Sequence, residues 1–184
     1  MNLFLISWNI EECAQWHFDA HVRKMIIELA QLLSTAHWCL ANEKQLKDLN
    51  EWHDNNRVYR LTHKNHPCAI WVREHINNYR FTAKLAMALC DEYYYRYGRE
   101  RNRRHETEKI IKFLMENEPE NFTETDKDLI GPHNVTEPAQ AMPDDYKDED
   151  VIQAYRNYYL SEEKMHLLSW KNRNIPPFIE EIIG

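Results

Sequence analysis

The chain of 184 residues carries 30 acidic and 23 basic side chains, a formal charge of −7, with 43% hydrophobic and 12% aromatic residues. That length fits one domain with a sizeable core, and that apolar content excludes a disordered chain. The acidic balance argues against wholesale nucleic-acid binding, and three glycines (Gly98, Gly131, Gly184) are too few for a P-loop, a Rossmann turn or a kinase lid.

Residues 3–6, Leu-Phe-Leu-Ile, form a short apolar run that reads as a small strand. A long helix is expected from Glu11 to Leu40. Within it His17, His21, Lys24, Glu28, Gln31 and Thr35 recur every three or four residues, so at about 3.6 residues per turn they stack on one face. Phe18, Val22, Met25, Ile26, Leu29, Leu32 and Leu33 make the rest of the circumference apolar, as in a core helix. Aligned polar groups on such a helix either meet other polar groups or line a pocket, because an unpaired buried polar group costs about 1–3 kcal/mol. Imidazole and amine heads point to a pocket for an anion.

Residues 42–60 are polar and mixed, and read as an insertion-like connection. The turn Leu61-Thr-His-Lys-Asn-His-Pro67 then feeds a second long helix, with Pro67 in its first turn. That helix should run to Tyr97 and end at Gly98 as a C-cap. The basic stretch Arg99 to Lys112 reads as the start of a third helix, with Ile110, Ile111, Phe113 and Leu114 at its apolar end. Residues 116–150 are acidic and proline-punctuated, a long loop or lid. A fourth helix is expected from Asp150 to Trp170, followed by a tail with a Pro-Pro pair. The expectation is a mainly α, compact multi-helix single domain over 1–184 with at most a short N-terminal strand. Cys13, Cys39, Cys68 and Cys90 make no CxxC and are expected to be reduced structural thiols. No signal-like segment opens the sequence, and no apolar run approaches the ~20 residues of a membrane span, so a soluble intracellular protein without a membrane partner is expected.

Four constellations could carry chemistry. His17-x-Asp19-x-His21-x-x-Lys24 offers two histidines at a spacing used by zinc ligands. Asp19 projects from the opposite side of the helix and Lys24 is a poor neighbour for a dication, so no metal and no cofactor is expected. The histidines are then either core groups with polar partners or an anion-facing acid–base pair. The second is Thr62-His63-Lys64-Asn65-His66-Pro67, where free backbone N–H groups at a helix start attract anions. Capping by Thr62 or Asn65 would explain one of those residues and leaves two histidines and a lysine. The third is the inner face of the second helix, where Glu74, Asn78, Glu92 and Arg96 share a side with Ile70, Trp71, Phe81, Leu85 and Leu89. Buried charge must be paired, so Glu28, Glu74 and Glu92 are expected beside Lys24, Arg73 or Arg96. The fourth, Tyr155-Arg156-Asn157-Tyr158-Tyr159 with Lys164, mixes stacking rings with cations as a nucleobase and its phosphate would require.

Taken together, HxDxHxxKM (17–25), AQLLSTAH (30–37), THKNHPCAIW (62–71), EYYYRYG (92–98), AMPD (141–144) and AYRNYY (154–159) resemble a family of small, largely uncharacterised tailed-bacteriophage proteins. The resemblance covers most of the chain, with 42–60 and 116–135 as its variable parts and Ala20 standing where the family would carry Lys. It implies an accessory protein acting in the cytoplasm of the infected bacterial host rather than a virion component. Phage accessory proteins of this size often handle nucleotides or disarm host defences, including those signalled by cyclic oligonucleotides.

The reading is a helical protein that binds, and cleaves by metal-independent histidine acid–base chemistry, a small nucleotide-type anion. His17, His21, His63 and His66 are the candidate acids and bases. Lys24 is the candidate charge stabiliser, with Lys64, Asn65, Arg73, Asn78, Arg96, Tyr155, Arg156 and Lys164 as further ligand contacts. The alternatives are a non-enzymatic sponge for the same ligand, or a DNA-acting enzyme (base modification or glycosylase) that uses Arg99–Lys112 against phosphate. DNA is the less favoured partner, and a homo-oligomer is compatible with the sequence.

Overall fold

The computed structural model describes residues 1–55 and 58–183. These form nine α-helices: α1 (Ile10–Trp16), α2 (Asp19–Leu40), α3 (Glu43–Asp54), α4 (Pro67–Glu74), α5 (Ile76–Tyr93), α6 (Glu108–Glu116), α7 (Val151–Tyr159), α8 (Glu162–Met165) and α9 (Pro177–Ile183). The apolar faces of α2 and α5 pack together at the centre. Helices α4 and α6 each touch both of them, and α1 lies against α5. Leu29, Leu32, Leu33, Leu85, Ala86 and Leu89 are all fully buried there. Among the described residues the only β pairing is one isolated bridge between Ile130 and Val135.

Leu3, Phe4, Leu5 and Ile6 are buried as expected, but they are not a strand. With no neighbouring strand, side chains answer part of their backbone instead. The Cys13 thiol approaches the Phe4 carbonyl at 3.6 Å, and Arg156 Nε donates to the Ile6 carbonyl at 3.0 Å. The Phe4 ring lies within 6 Å of the rings of Tyr155, Tyr158 and Tyr159, which ties the N-terminal segment to α7.

Both long helices expected from the sequence are broken by extended residues. The helix over 11–40 is interrupted at His17 and Phe18, whose ψ angles are 130° and 160°. The break places Asp19 at the first position of α2, at the positive end of the helix dipole. There its carboxylate accepts from Arg96 Nη1 (3.0 Å), Tyr97 Oη (2.7 Å) and the Lys171 backbone N–H (3.0 Å). Burial pushes the Asp19 carboxyl up, but these hydrogen bonds outweigh it and hold the group below the usual range. The helix over 67–97 is interrupted at His75 (φ −148°, ψ 146°), whose imidazole caps α5 by accepting from the Asn77 N–H at 3.2 Å.

Helix α5 does not end at Gly98 with a left-handed cap. It runs into a π-helical turn over Tyr94–Gly98 and a 3-10 turn over Arg99–Arg101, and the left-handed residue is Asn102 at φ 45°. Gly98 has φ −93°, and its glycine is required by space: a Cβ there would collide with the Arg103 carbonyl oxygen and the Tyr94 ring. The expected helix from Arg99 begins only at Glu108, and that expected over 150–170 is two short helices parted at Leu160 and Ser161.

Residues 42–60 are no mere connection, since α3 occupies 43–54. Its start is a capping box: Asn42 accepts from the Gln45 N–H at 2.8 Å and the Gln45 side chain accepts from the Asn42 N–H at 3.1 Å. Its apolar stripe is thin, with Leu49 buried and Trp52 stacked on Phe113 at 3.6 Å. Residues 117–150 are largely irregular, as expected, apart from a 3-10 turn over Asp144–Tyr146. This segment is pinned at Thr136, whose carbonyl accepts from Trp71 Nε1 (3.0 Å) and whose N–H donates to Asn78 Oδ1 (3.0 Å).

Candidate functional site

The polar stripe of the sequence divides into a buried part and a surface part. His17 and His21 belong to the core, at 0% and 4% exposure. His17 Nδ1 donates to the Cys13 carbonyl at 2.7 Å, and its Nε2 is buried with no hydrogen-bond partner. Burial drives its pKa down to about 4. The His21 ring lies 3.9 Å from that of Phe18 and 4.2 Å from that of Phe4, and its Nδ1 is 2.8 Å from the Tyr159 hydroxyl. Burial, with smaller contributions from His17, Lys164 and Lys24, depresses its pKa strongly. Both rings are neutral core groups, sealed from any ligand in solution.

The surface part begins one turn on. Lys24 is 67% exposed, with its Nζ 3.2 Å from Glu28 Oε1, and the Met1 amino nitrogen lies 3.8 Å from Glu28 Oε2. Lys164 reaches the same place from α8. Its ammonium sits 4.3 Å above the Tyr158 ring and 5.2 Å from that of Phe4, with only 13% of the side chain exposed. Burial lowers its pKa, and Lys24 adds to that lowering against the pull of Glu163 and Glu28.

The Thr62–Pro67 turn brings the second histidine pair to this face. Thr35 Oγ1 donates to the Thr62 carbonyl at 2.9 Å and so fixes the turn to α2. His66 caps α4 by accepting from the Cys68 N–H at Nδ1 (3.2 Å), which leaves its proton on Nε2. Burial lowers the His66 pKa first, and the Met1 amino group and His63 lower it further, against Glu28. His63 is exposed in a left-handed conformation (φ 47°), its Nδ1 2.6 Å from Thr62 Oγ1. Lys64 and Asn65 form the exposed tip of the turn. Arg73 braces it from behind, donating to the Lys64 carbonyl at 2.5 Å.

The remaining sequence candidates are engaged elsewhere. Asn78 is buried against Trp71 and Thr136. Arg96, fully buried, bonds Glu92 Oε1 (2.6 Å), Asp19 (3.0 Å) and the Gln15 carbonyl (2.8 Å). Tyr155 is buried, donating to the Ala139 carbonyl at 2.6 Å, and Arg156 holds the N-terminal segment. Two expected ion pairs, Lys24–Glu28 and Arg96–Glu92, are present. Glu74 instead pairs with Lys127 and accepts from the Thr136 hydroxyl.

Sequence reasoning missed a cleft of about 540 Å³ that opens where this face meets α6. Gln31, His53, Tyr59, Arg60, Thr62 and Lys109 are among its walls, so it runs from the polar stripe of α2 to the base of the His63 turn. Arg60 Nε donates to His53 Nε2 at 2.7 Å. His53, Tyr59 and Arg60 lay in a segment without periodic signal, and only their mixture of imidazole, phenol and guanidinium could have flagged them. Among the described residues no group of three or more His, Cys, Asp or Glu side chains is placed to hold a metal ion. No helix among them is long and apolar enough to cross a membrane.

Comparison with protein-family models, curated proteins and solved structures returned no match to this chain. The chemistry therefore rests on the residues themselves: three amines and the His66 imidazole around the half-buried Glu28, with His63 next to His66, beside a cleft with its own cations.

Proposed function

We propose that the protein binds a small nucleotide-type anion on the face where Lys24, His63, His66 and Lys164 converge, and cleaves a phosphodiester bond there without a metal. The observation that carries this reading is the convergence itself. Lys24 and the Met1 amino group pair with Glu28, His66 and Lys164 lie within its electrostatic reach, and His63 adjoins His66; Glu28 and, at Lys164, Glu163 relieve their mutual repulsion only in part. An anion seated among them would supply the missing charge. The 540 Å³ cleft beside the turn falls in the size range of small-molecule sites and could take the base and sugar.

Within this reading His66, with its proton on Nε2, is the general acid and exposed His63 the base, and Lys24 stabilises charge on the phosphoryl oxygens. Cleavage next to a free 2′-hydroxyl needs no activated water, which suits an imidazole pair. The motif resemblance to tailed-phage accessory proteins supports a cyclic oligonucleotide signal as the ligand class and the infected host's cytoplasm as the place of action.

A sponge that holds the same ligand is the second reading. It is favoured by the withdrawal of His17 and His21 into the core, which leaves one imidazole pair where two were expected. Mass spectrometry of excess cyclic dinucleotides after incubation separates the two. Linear product that disappears in His63→Ala and His66→Ala supports the enzyme. Intact ligand bound at one equivalent supports the sponge. No binding of any cyclic nucleotide overturns both.

A further inference from the structure

A second surface, separate from the face proposed for the nucleotide, is built around the π-helical turn after α5. We infer that it binds single-stranded nucleic acid. Tyr93 and Tyr97 face a cleft of about 210 Å³ together with Glu100, Arg101, Arg103 and Lys171. The two rings are 5.6 Å apart between centroids. Neither ring is loose. The Tyr97 hydroxyl donates to Asp19 at 2.7 Å, and Tyr93 packs edge-on against His105 at 4.9 Å.

Exposed cations gather around these rings in a chain whose total is −7. Arg101, Arg103 and Lys171 are exposed at the rim, and Glu100 is the one acidic side chain lining the cleft. Among the described residues Arg23, Arg99, Arg101 and Lys171 have no carboxylate within ion-pair distance, and the Arg103–Glu106 pair is solvent-exposed and 3.8 Å long. Cations also ride on the neighbouring rings: Arg99 over Tyr95 (4.3 Å), Lys171 and Arg23 near Tyr97 (5.4 and 5.5 Å), and, with their charges already paired by Glu92, Asp91 and Glu108, Arg173 over Tyr95 (3.9 Å) and Arg104 over Tyr94 (5.0 Å). Within EYYYRYGRERNRR, Glu92 and Arg96 are buried, and the rings of Tyr93, Tyr94, Tyr95 and Tyr97 share the surface with exposed Arg99, Arg101 and Arg103. The π-helical turn Tyr94–Gly98 carries three of these rings at the end of α5.

Interleaved rings and cations are what a flexible strand needs: π-faces for its bases and positive charge along its backbone. Four cations without a carboxylate partner, Arg23, Arg99, Arg101 and Lys171, are more than one phosphate engages, which favours a strand over a free nucleotide. A base must be unstacked to meet Tyr93 or Tyr97, which favours single strands over duplex.

Fluorescence anisotropy with labelled oligothymidylate, oligouridylate and duplex DNA of about 15 nucleotides tests this. Wild-type protein should bind both single strands more tightly than duplex, with a log–log salt slope of about −2 for three phosphate contacts. The exposed double variant R101E/R103E should weaken binding at least tenfold and flatten that slope. Tyr93→Leu should weaken it several-fold while Tyr93→Phe, which keeps the π-face, retains it. R101E/R103E should leave cyclic-dinucleotide binding unchanged, so that failure of this surface and failure of the nucleotide site are read separately. Preference for duplex, no binding at low salt, or full affinity in R101E/R103E would overturn the inference.

Discussion

The hydroxyl of Thr35 donates to the carbonyl of Thr62 at 2.9 Å and accepts from the Thr62 amide at 3.4 Å, so one side chain of α2 holds the backbone of the histidine turn. Thr35 is completely buried. Thr35→Val keeps the shape and removes both bonds, leaving the Thr62 carbonyl to find another partner. Urea denaturation should show a loss of about 1–3 kcal/mol. Affinity for the nucleotide-type ligand should fall as well, because His63 is next in the chain. Unchanged affinity in a destabilised variant would separate the turn from ligand binding.

Lys24→Ala and Lys164→Ala probe the convergence directly. Each removes one charge-assisted contact, so ligand affinity should drop by about 1–3 kcal/mol per substitution. Lys24 is an exposed residue whose one ion pair is with Glu28, so its removal should leave thermal stability within about 0.5 kcal/mol of wild type. Calorimetric titration with a cyclic dinucleotide, beside a melting curve, reads both quantities.

The buried ionic network at the start of α2 should respond far more strongly. Glu92 is 3% exposed and accepts from Arg96 (2.6 Å) and from both Nε and Nη2 of Arg173 (3.0 and 2.8 Å). Glu92→Gln leaves one of two guanidinium groups uncompensated, with Arg96 at 0% exposure. Removing one partner of a buried pair costs about 3–5 kcal/mol, and the Asp19–Arg96 bond holds this case to the lower end. A shift of the urea midpoint with unchanged slope is the expected readout.

Stability should also fall in mildly acidic solution. His17 and His37 are buried and neutral, with burial pulling each pKa down from 6.5 to about 4. Below the unfolded value the denatured chain takes up protons that the native chain refuses. The stability these residues contribute is therefore complete above pH about 6.5 and lost as pH falls from there towards about 4. Each can cost roughly 3 kcal/mol over that window. Asp19, Glu74 and Glu108 have lowered pKa values and lose their contribution below the usual carboxylate range, while Glu137, raised by burial and by Asp150, acts in the opposite direction. Melting temperatures taken every half unit from about pH 7 to 5 should decline steadily, and His37→Gln should flatten the decline.

Gly98→Ala is expected to destabilise the turn between α5 and α6, because the new methyl group meets the Arg103 carbonyl and the Tyr94 ring. Overpacking of this kind costs about 1–3 kcal/mol. The tyrosine–arginine surface follows from this turn, so oligonucleotide binding should weaken with it.

The 3.6-residue periodicity of the apolar positions was enough to place this chain among helical proteins. The same periodicity identified the two helices, α2 and α5, that make the core. Ion pairs four residues apart, Lys24–Glu28 and Glu92–Arg96, were also legible, since helical spacing alone brings such side chains together. The interruptions at His17–Phe18 and His75 were not, because neither site carries a proline or glycine. The extended backbone there is held by contacts from distant residues, such as those that Asp19 makes with Arg96, Tyr97 and Lys171. Aligned positions on a helix also say nothing about what lies opposite. Packing under Phe4, Phe18 and Tyr159 made His21 a core residue, while Lys24, one turn on, stayed in water. Local sequence set which side chains share a face, and long-range packing decided which of those faces meet solvent. The cluster around Glu28, drawn from residues up to 163 positions apart, exists only after that decision.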